Sequence, residues 1–354
     1  MKKIIISLSV IGAVAAVAIG ASTAFFSDTE TSTGNTFTAG AIDLKIDSES
    51  HYNGLICRQV NSTGPFLWLE PLANPPTLPT AEQLALEVYN TACDVTWSET
   101  DLGATNKFFN LRDIKPGDVG ENTISLHLTN NDGWGRFVIS AVKDYNNTCT
   151  EPEAAASTTS SELCTVAIPE NQTPGSGELS QSISFFAWLD QGAIPGFQCN
   201  DPSDTSSTGA RCPEDRTEGD NVQQCDALDP LNPQTPTSVN CAEPTVITPG
   251  PVDDVNNIDN STEIDEVHNI WLALDPIFDA YCTTGQPVNG HNNYGLCHGL
   301  ADDGRMVGSV TYYFGLGWSI PTTVANEAQT DSLIADLSFQ AVQHRNNPGP
   351  TPTF

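Results

Sequence analysis

Six histidines, ten cysteines and 44 acidic residues are the groups in this 354-residue chain that could do chemistry, so their spacing comes first. The histidines stand at 51, 127, 268, 291, 298 and 344. Only His291 and His298 lie near a third ligand, flanking Cys297 in GHNNYGLCHG, which by residue type is half of a zinc site. The same stretch suits a disulfide to Cys282 with two loop histidines beside it, and this is the reading adopted. The sequence holds no H-E-x-x-H, no G-x-S-x-G and no Walker loop, and no local pattern sets up a Ser/His/Asp triad. The chain is therefore expected not to be an enzyme.

The acidic residues offer a ligand set of another kind. Asp190 ends the run SFFAWLD, and Asp201, Asp204, Asp215, Asp220 and Asp226 follow in a segment poor in large apolar side chains. Oxygen ligands on an irregular loop suit calcium, although the spacing is not that of an EF-hand. A solvated acidic loop is the competing reading. No cofactor is required, and calcium is the one ion expected to bind if any does.

The cysteines are Cys57, Cys93, Cys149, Cys164, Cys199, Cys212, Cys225, Cys241, Cys282 and Cys297. An even count outside the cytosol points to disulfides rather than reactive thiols. Pairing of sequence neighbours would give Cys57–Cys93, Cys149–Cys164, Cys199–Cys212, Cys225–Cys241 and Cys282–Cys297, but the spacing leaves the connectivity open.

The elements that must position these groups alternate with period two. Ile42, Leu44 and Ile46 alternate with Asp43, Lys45 and Asp47. Ile124, Leu126 and Leu128 do so with Ser125, His127 and Thr129, and the same pattern runs from Val310 to Ile320 and from Asp336 to Ala341. One apolar face per strand is the pattern of antiparallel sheets packed as a β-sandwich. Phe137 to Val142 and Ile183 to Leu189 are apolar on both faces, as central strands or strands under a covering loop would be. Thr80-Ala81-Glu82-Gln83 fits a capping box and predicts a short helix over about 80–91. A second helix within 264–281 is expected to break at Pro276. Residues 150–177 read as a long exposed loop, and about 191–251 as an acidic, disulfide-stapled insertion.

The start of the chain reads as an export signal. Lys2 and Lys3 precede an apolar run from Ile4 to Gly20, and small residues lead to cleavage after Ala24. That leader carries two of the 13 Lys and Arg and none of the 44 Asp and Glu, so the net charge of −31 becomes −33 in the exported chain. Such a chain repels nucleic acid and anionic lipid. The expected organisation is a signal peptide at 1–24, an arm at 25–37, one sandwich domain at 38–347 and a tail at 348–354. The product is secreted, to the extracellular space or the cell surface.

Three stretches carry a family likeness: AFFSDTETSTGNTFTAGAIDLKID from Ala24, NLRDIKPGD at 110–118, and ISLHLTNNDGWGRFVISAV at 124–142. They resemble the TasA/camelysin family of exported proteins processed by a SipW-type signal peptidase. FGLGWSIPTTVANEAQTDSLIADLSFQAVQHRNN, at 314–347, looks like the C-terminal strand pair of its larger, cysteine-bearing members. The likeness covers about 120 residues and leaves out the cysteine-rich middle. It implies a jelly-roll sandwich and a fibre subunit of a biofilm matrix. It also implies, through camelysin, a metallopeptidase label that no zinc motif in this chain supports.

The arm gives the likeness a physical rationale. A sandwich with an unfilled sheet edge presents unpaired N–H and C=O groups to another chain's strand. Donating residues 25–37 to the next copy would bury Phe25, Phe26 and Phe37, each worth about 1.5–3 kcal/mol. Repeated head to tail, this builds an open filament. The alternative is an arm that folds into its own edge and leaves a monomeric surface protein. Independently of assembly, complete disulfide formation predicts an intact mass ten hydrogens below that of the reduced chain; several free thiols in the unreduced protein would refute it.

Overall fold

The computed structural model describes residues 27–31, 43–61, 63–71, 79–129, 131–147, 150–156, 177–192, 218–223, 243–251, 266–282, 299–345, 347, 349 and 352–354. Alternating residues become two antiparallel sheets. The larger holds β2 (Asp43–Tyr52), β3 (Leu55–Gln59), β4 (Phe66–Leu69), β5 (Trp97–Thr100), β6 (Val119–Thr129), β8 (Ser184–Leu189), β9 (Thr245–Pro251) and β11 (Thr311–Ser319). Its order is β4-β3-β2-β6-β11-β8-β9, with β5 added to β2. The smaller sheet has the order β1-β12-β7-β10, built from β1 (Ser27–Thr31), β12 (Ser332–Gln343), β7 (Gly133–Tyr145) and β10 (Glu266–Asn269). From β6 to β8 and from β9 to β12 the chain crosses repeatedly between sheets, the interleaving of a jelly roll.

One core lies between the sheets. Leu44, Ile46, Ile124, Leu126, Phe314 and Leu316 of the larger sheet meet Phe137, Ile139, Leu337 and Phe339 of the smaller. The Phe314 and Phe339 rings pack 6.2 Å apart across the gap, with Phe108 on Phe339 at 6.0 Å. The two segments that are apolar on both faces are central strands, β7 between β12 and β10, and β8 between β11 and β9.

The capping box forms as expected: Thr80 Oγ1 accepts from Gln83 N at 3.1 Å and Gln83 Oε1 accepts from Thr80 N at 2.9 Å. The helix it starts, α1, ends early and covers only Ala81–Ala85. It buries none of its residues, and the chain beyond it binds β4 instead, through Asn90 N to Trp68 O and Cys93 N to Phe66 O. The Cys57–Cys93 disulfide fixes that return. The second expected helix also differs. Residues 266–269 form strand β10, and a helix runs unbroken through Pro276 from Trp271 to Tyr281. Pro276 leaves the Leu272 carbonyl without its helical donor, but Leu272 sits on the outer side of that helix, 66% exposed, while Ala273, Leu274 and Ile277 face the core.

The insertion is more deeply integrated than its composition implies. Its last residues are β9, with Ile247 in the core, and residues 218–223 lie on the outer face of the larger sheet with Glu218 and Gln223 buried. Beside them the Trp188 ring covers Gly315, where an added Cβ would overlap the ring. Trp188 is itself buried and stacked on Phe186 at 5.5 Å, so it cannot move aside. Gly315→Val should therefore lower stability by about 1–3 kcal/mol, read from the shift in the urea unfolding midpoint.

Candidate functional site

The arm reaches the smaller sheet in an unambiguous register. Ser27 pairs with Val342, Asp28 with Ala341, Thr29 with Gln340, Glu30 with Phe339 and Thr31 with Ser338, all antiparallel. Within its sheet β1 has a single neighbour, β12, whose other edge carries β7. The arm thus occupies an edge of its own subunit. Phe25, Phe26, Phe37 and the cleavage residue Ala24 lie outside the described residues.

The motif at 114–118 has a structural role. Lys115-Pro116-Gly117-Asp118 is a turn closed by Asp118 N to Lys115 O at 2.9 Å, and Gly117 adopts a positive φ of 97° that suits its third position. The Asp118 carboxylate then accepts from Tyr52 Oη at 2.6 Å, Asn53 Nδ2 at 2.8 Å and Lys115 N at 2.7 Å, tying the turn to the end of β2.

Of the six aspartates expected to ligate calcium, Asp190 and Asp220 are described; Asp201, Asp204, Asp215 and Asp226 lie outside. Asp190 is fully buried rather than looped out. Its oxygens accept the Gly219 and Asn221 N–H groups, both at 3.0 Å, and so clamp residues 218–223 to the sheet. Asp220 Oδ1 accepts from Val222 N at 3.0 Å. The histidines are dispersed: His127 contacts Ser125 and Thr311 at 2.8 and 3.1 Å, and His344 meets Asp303 at 3.2 Å. Burial holds His268 below its ordinary pKa. His291, His298 and Cys297 are outside the described residues, among which no three His, Cys, Asp or Glu side chains form a ready metal site.

Of the five pairings of neighbouring cysteines, the structure describes one in full, Cys57 with Cys93. Cys282 is also disulfide-bonded. Cys149, Cys164, Cys199, Cys212, Cys225, Cys241 and Cys297 lie outside the described residues. The expected bridges Cys149–Cys164, Cys199–Cys212 and Cys225–Cys241 therefore fall wholly outside them. Among the described residues no cysteine is free.

A shallow cleft of ≈ 330 Å³ opens beside Asp190's loop, lined by His51, Tyr52, Gly120, Glu121, Phe186 and Trp318. Both Glu121 carboxylate oxygens are buried, 3.3 Å from His51 Nδ1 at the nearer. Thr123 Oγ1 donates to Asn221 Oδ1 at 2.6 Å, which turns Asn221 Nδ2 toward the same His51 nitrogen at 2.5 Å. His51 Nδ1 is then an acceptor, an arrangement that a protonated Glu121 fits. Burial raises the Glu121 pKa well above the usual range, and Asp190, Glu49 and Asp220 raise it further.

A second acidic group is assembled from residues far apart in the sequence. An extra residue in β7 shifts its pairing with β12: three steps from Ser140 to Lys143 match two from Asp336 to Ile334, and Ala141 sits at φ 50°. Before the bulge Phe137 and Ile139 face the core; after it Val142 does, and then Asp144. On β12, Asp331 is in phase with the core-facing Leu333, Ala335 and Leu337. The short helices α2 (Glu151–Ala156) and α3 (Leu179–Ser182) close this end of the sandwich and bring Glu153 and Glu178 to the same place. Burial, then the charges of Asp144, Glu178 and Glu153, push the Asp331 pKa up to about 8 despite a hydrogen bond from Glu178 N at 2.7 Å. The only sequence signal was an aspartate in phase with an apolar strand face.

Compared with known proteins, the chain matches no protein-family model, no curated protein and no solved structure. The cleft generates a pH prediction. With its folded pKa raised, Glu121 keeps a proton that the unfolded chain loses above about pH 4.5, so its contribution to stability falls as pH rises. Glu121→Gln should remove this contribution, and the variant should gain on the wild type in urea midpoint between pH 5 and pH 8. A pH-independent difference would mean that Glu121 is ionised and paired with His51.

Proposed function

We propose that the protein is a structural subunit of an extracellular filament in which β1 of one copy pairs with β12 of the next. The observation that carries the reading is the edge position of β1, held in its sheet by one five-residue ladder. Backbone N–H and C=O groups form that ladder, so the identical segment of a second copy can make it equally well. The apolar residues flanking the segment, Phe25, Phe26 and Phe37, supply side-chain anchors of a kind that a ladder alone lacks. Export, cleavage after Ala24 by a SipW-type peptidase and the likeness to fibre proteins fit the same reading, with other copies of the chain as partners. The proposal includes no catalytic activity.

The pairing of β1 with its own β12 favours a second reading, a monomeric surface protein whose arm is a permanent edge strand. A cross-strand cysteine pair separates the two. Thr29→Cys with Gln340→Cys, facing residues in the register, should yield a ladder of covalent oligomers after oxidation under assembly conditions. A crosslinked monomer alone would favour the second reading. Deleting residues 25–37 should leave a folded protein that forms no fibres, and the same fibres from the truncated chain would exclude strand donation.

A further inference from the structure

The carboxylates at the end of the sandwich have no part in strand exchange, and their setting calls for a counter-charge. Asp144 comes from β7, Glu153 from α2, Glu178 from the residue that precedes α3, and Asp331 from the residue that precedes β12. Four separate stretches of chain therefore each deliver one carboxylate. Three of the side chains are held through one oxygen by a backbone donor. Ser180 N donates to Asp144 Oδ2 at 2.6 Å, Glu178 N to Asp331 Oδ2 at 2.7 Å, and Thr150 N to Glu153 Oε2 at 3.0 Å. Thr330 Oγ1 adds a contact to Glu153 Oε2 at 3.3 Å.

The opposite oxygens are the informative ones. Glu153 is 1% exposed, yet its Oε1 is buried with no hydrogen-bond partner among the described residues, and so is Asp331 Oδ1. A buried carboxylate oxygen left without a donor is costly. The charges acting on Asp331 are all negative, those of Asp144, Glu178 and Glu153. The backbone also comes close: a Cβ at Gly177 would overlap Asp144 Oδ1, so the chain there presents glycine against the carboxylate. Pinned carboxylates of one sign, with the Glu153 and Asp331 oxygens unsatisfied among the described residues, suit a cation rather than a substrate.

We propose that Asp144, Glu153, Glu178 and Asp331 bind a hard divalent cation, calcium by preference, where α2 and α3 meet the ends of β7 and β12. All four ligands are oxygen donors, which excludes the softer thiolate- and imidazole-seeking metals. Calcium tolerates irregular loop ligands and takes six to eight oxygens, whereas magnesium demands an octahedron. No three of these carboxylates stand together as a ready ion site. Rotation of the longer Glu153 and Glu178 side chains is the movement that would close it. The ion would tie α2, through Glu153, and the start of α3, through Glu178, to the strand ends at Asp144 and Asp331. Protons are the competing counter-charge, since a cluster that holds a proton near neutral pH also relieves its own repulsion.

Titration calorimetry of the mature protein with calcium chloride at pH 8 tests the proposal, alongside thermal unfolding in millimolar calcium against EDTA. Saturable heat and a raised unfolding midpoint are expected, with magnesium at equal concentration giving the smaller shift. Asp331→Asn and Glu153→Gln should each weaken the calcium affinity at least tenfold, and near-ultraviolet circular dichroism checks that each variant remains folded. Two isosteric variants are used so that failure of one to fold leaves the other to decide. Absence of heat and an unchanged midpoint would overturn the proposal and leave protons as the counter-charge. Undiminished binding in both variants would also overturn it, because the ion would then sit elsewhere.

Discussion

The pairing of β7 with β12 carries one surplus residue, and the layout of one end of the sandwich follows from it. Up to Ile139 the β7 side chains that face the other sheet are apolar, and Phe137 packs on Phe339 at 4.9 Å. The bulge at Ala141 turns the strand by one position, so that Val142 and Asp144 take the inward places that Ala141 and Lys143 would otherwise hold. Without it, Lys143 would enter the core and Asp144 would face solvent. The same strand end therefore stops being hydrophobic core and becomes a carboxylate wall, which the short helices at 151–156 and 179–182 close off.

β12 joins that wall to the arm. One of its edges is aligned with β7 over eleven residue pairs, the other with β1 over five. Ordering a residue's backbone costs about 1–2 kcal/mol, while a net hydrogen bond returns about 0.5–1.5 kcal/mol. A five-residue ladder is therefore near balance by itself, and what accompanies it decides whether it forms. Within one chain the arm is presented to its edge at the high effective concentration of a tether. Between chains that advantage is lost, and in the proposed exchange apolar anchors or a high local concentration of subunits would have to replace it. A ladder poised in this way can change partners, where a long central strand could not.

The sandwich was legible in the sequence because period-two alternation reports the quantity that builds it, one apolar face per strand. The two central strands and the Thr80 cap were legible for similarly local reasons. What escaped was non-local. Helix α1 stops at Ala85 because the Cys57–Cys93 bridge and β4 compete for the chain beyond it, and neither partner is near in sequence. Pro276 does not break its helix because only the outer side loses a hydrogen bond. An alanine at a bulge carries no signature of the kind glycine would, so nothing local in the sequence places Asp144 inside. Asp190 read as a loop ligand, since the backbone N–H groups it clamps lie about thirty residues ahead. Four carboxylates brought together from positions 144, 153, 178 and 331 leave no trace in any window of sequence.

A chain this acidic also restricts how it can associate. With 44 acidic and 13 basic residues, two copies meeting through ordinary side-chain surfaces would set like charges against each other. Salt screens such repulsion over about 8 Å at physiological strength, which protects distant charges and not those in contact. A backbone ladder avoids the difficulty, because the groups it joins are neutral dipoles. The five β12 residues opposite the arm, Ser338, Phe339, Gln340, Ala341 and Val342, are all uncharged, although Asp336 lies only two residues away. The stretch of this edge that pairs with β1 is thus uncharged, and the two charges of the ladder, Asp28 and Glu30, both come from β1. The proposed strand exchange asks less of a strongly negative surface than side-chain contact would, and acidity elsewhere on the chain would then direct such contact to this edge.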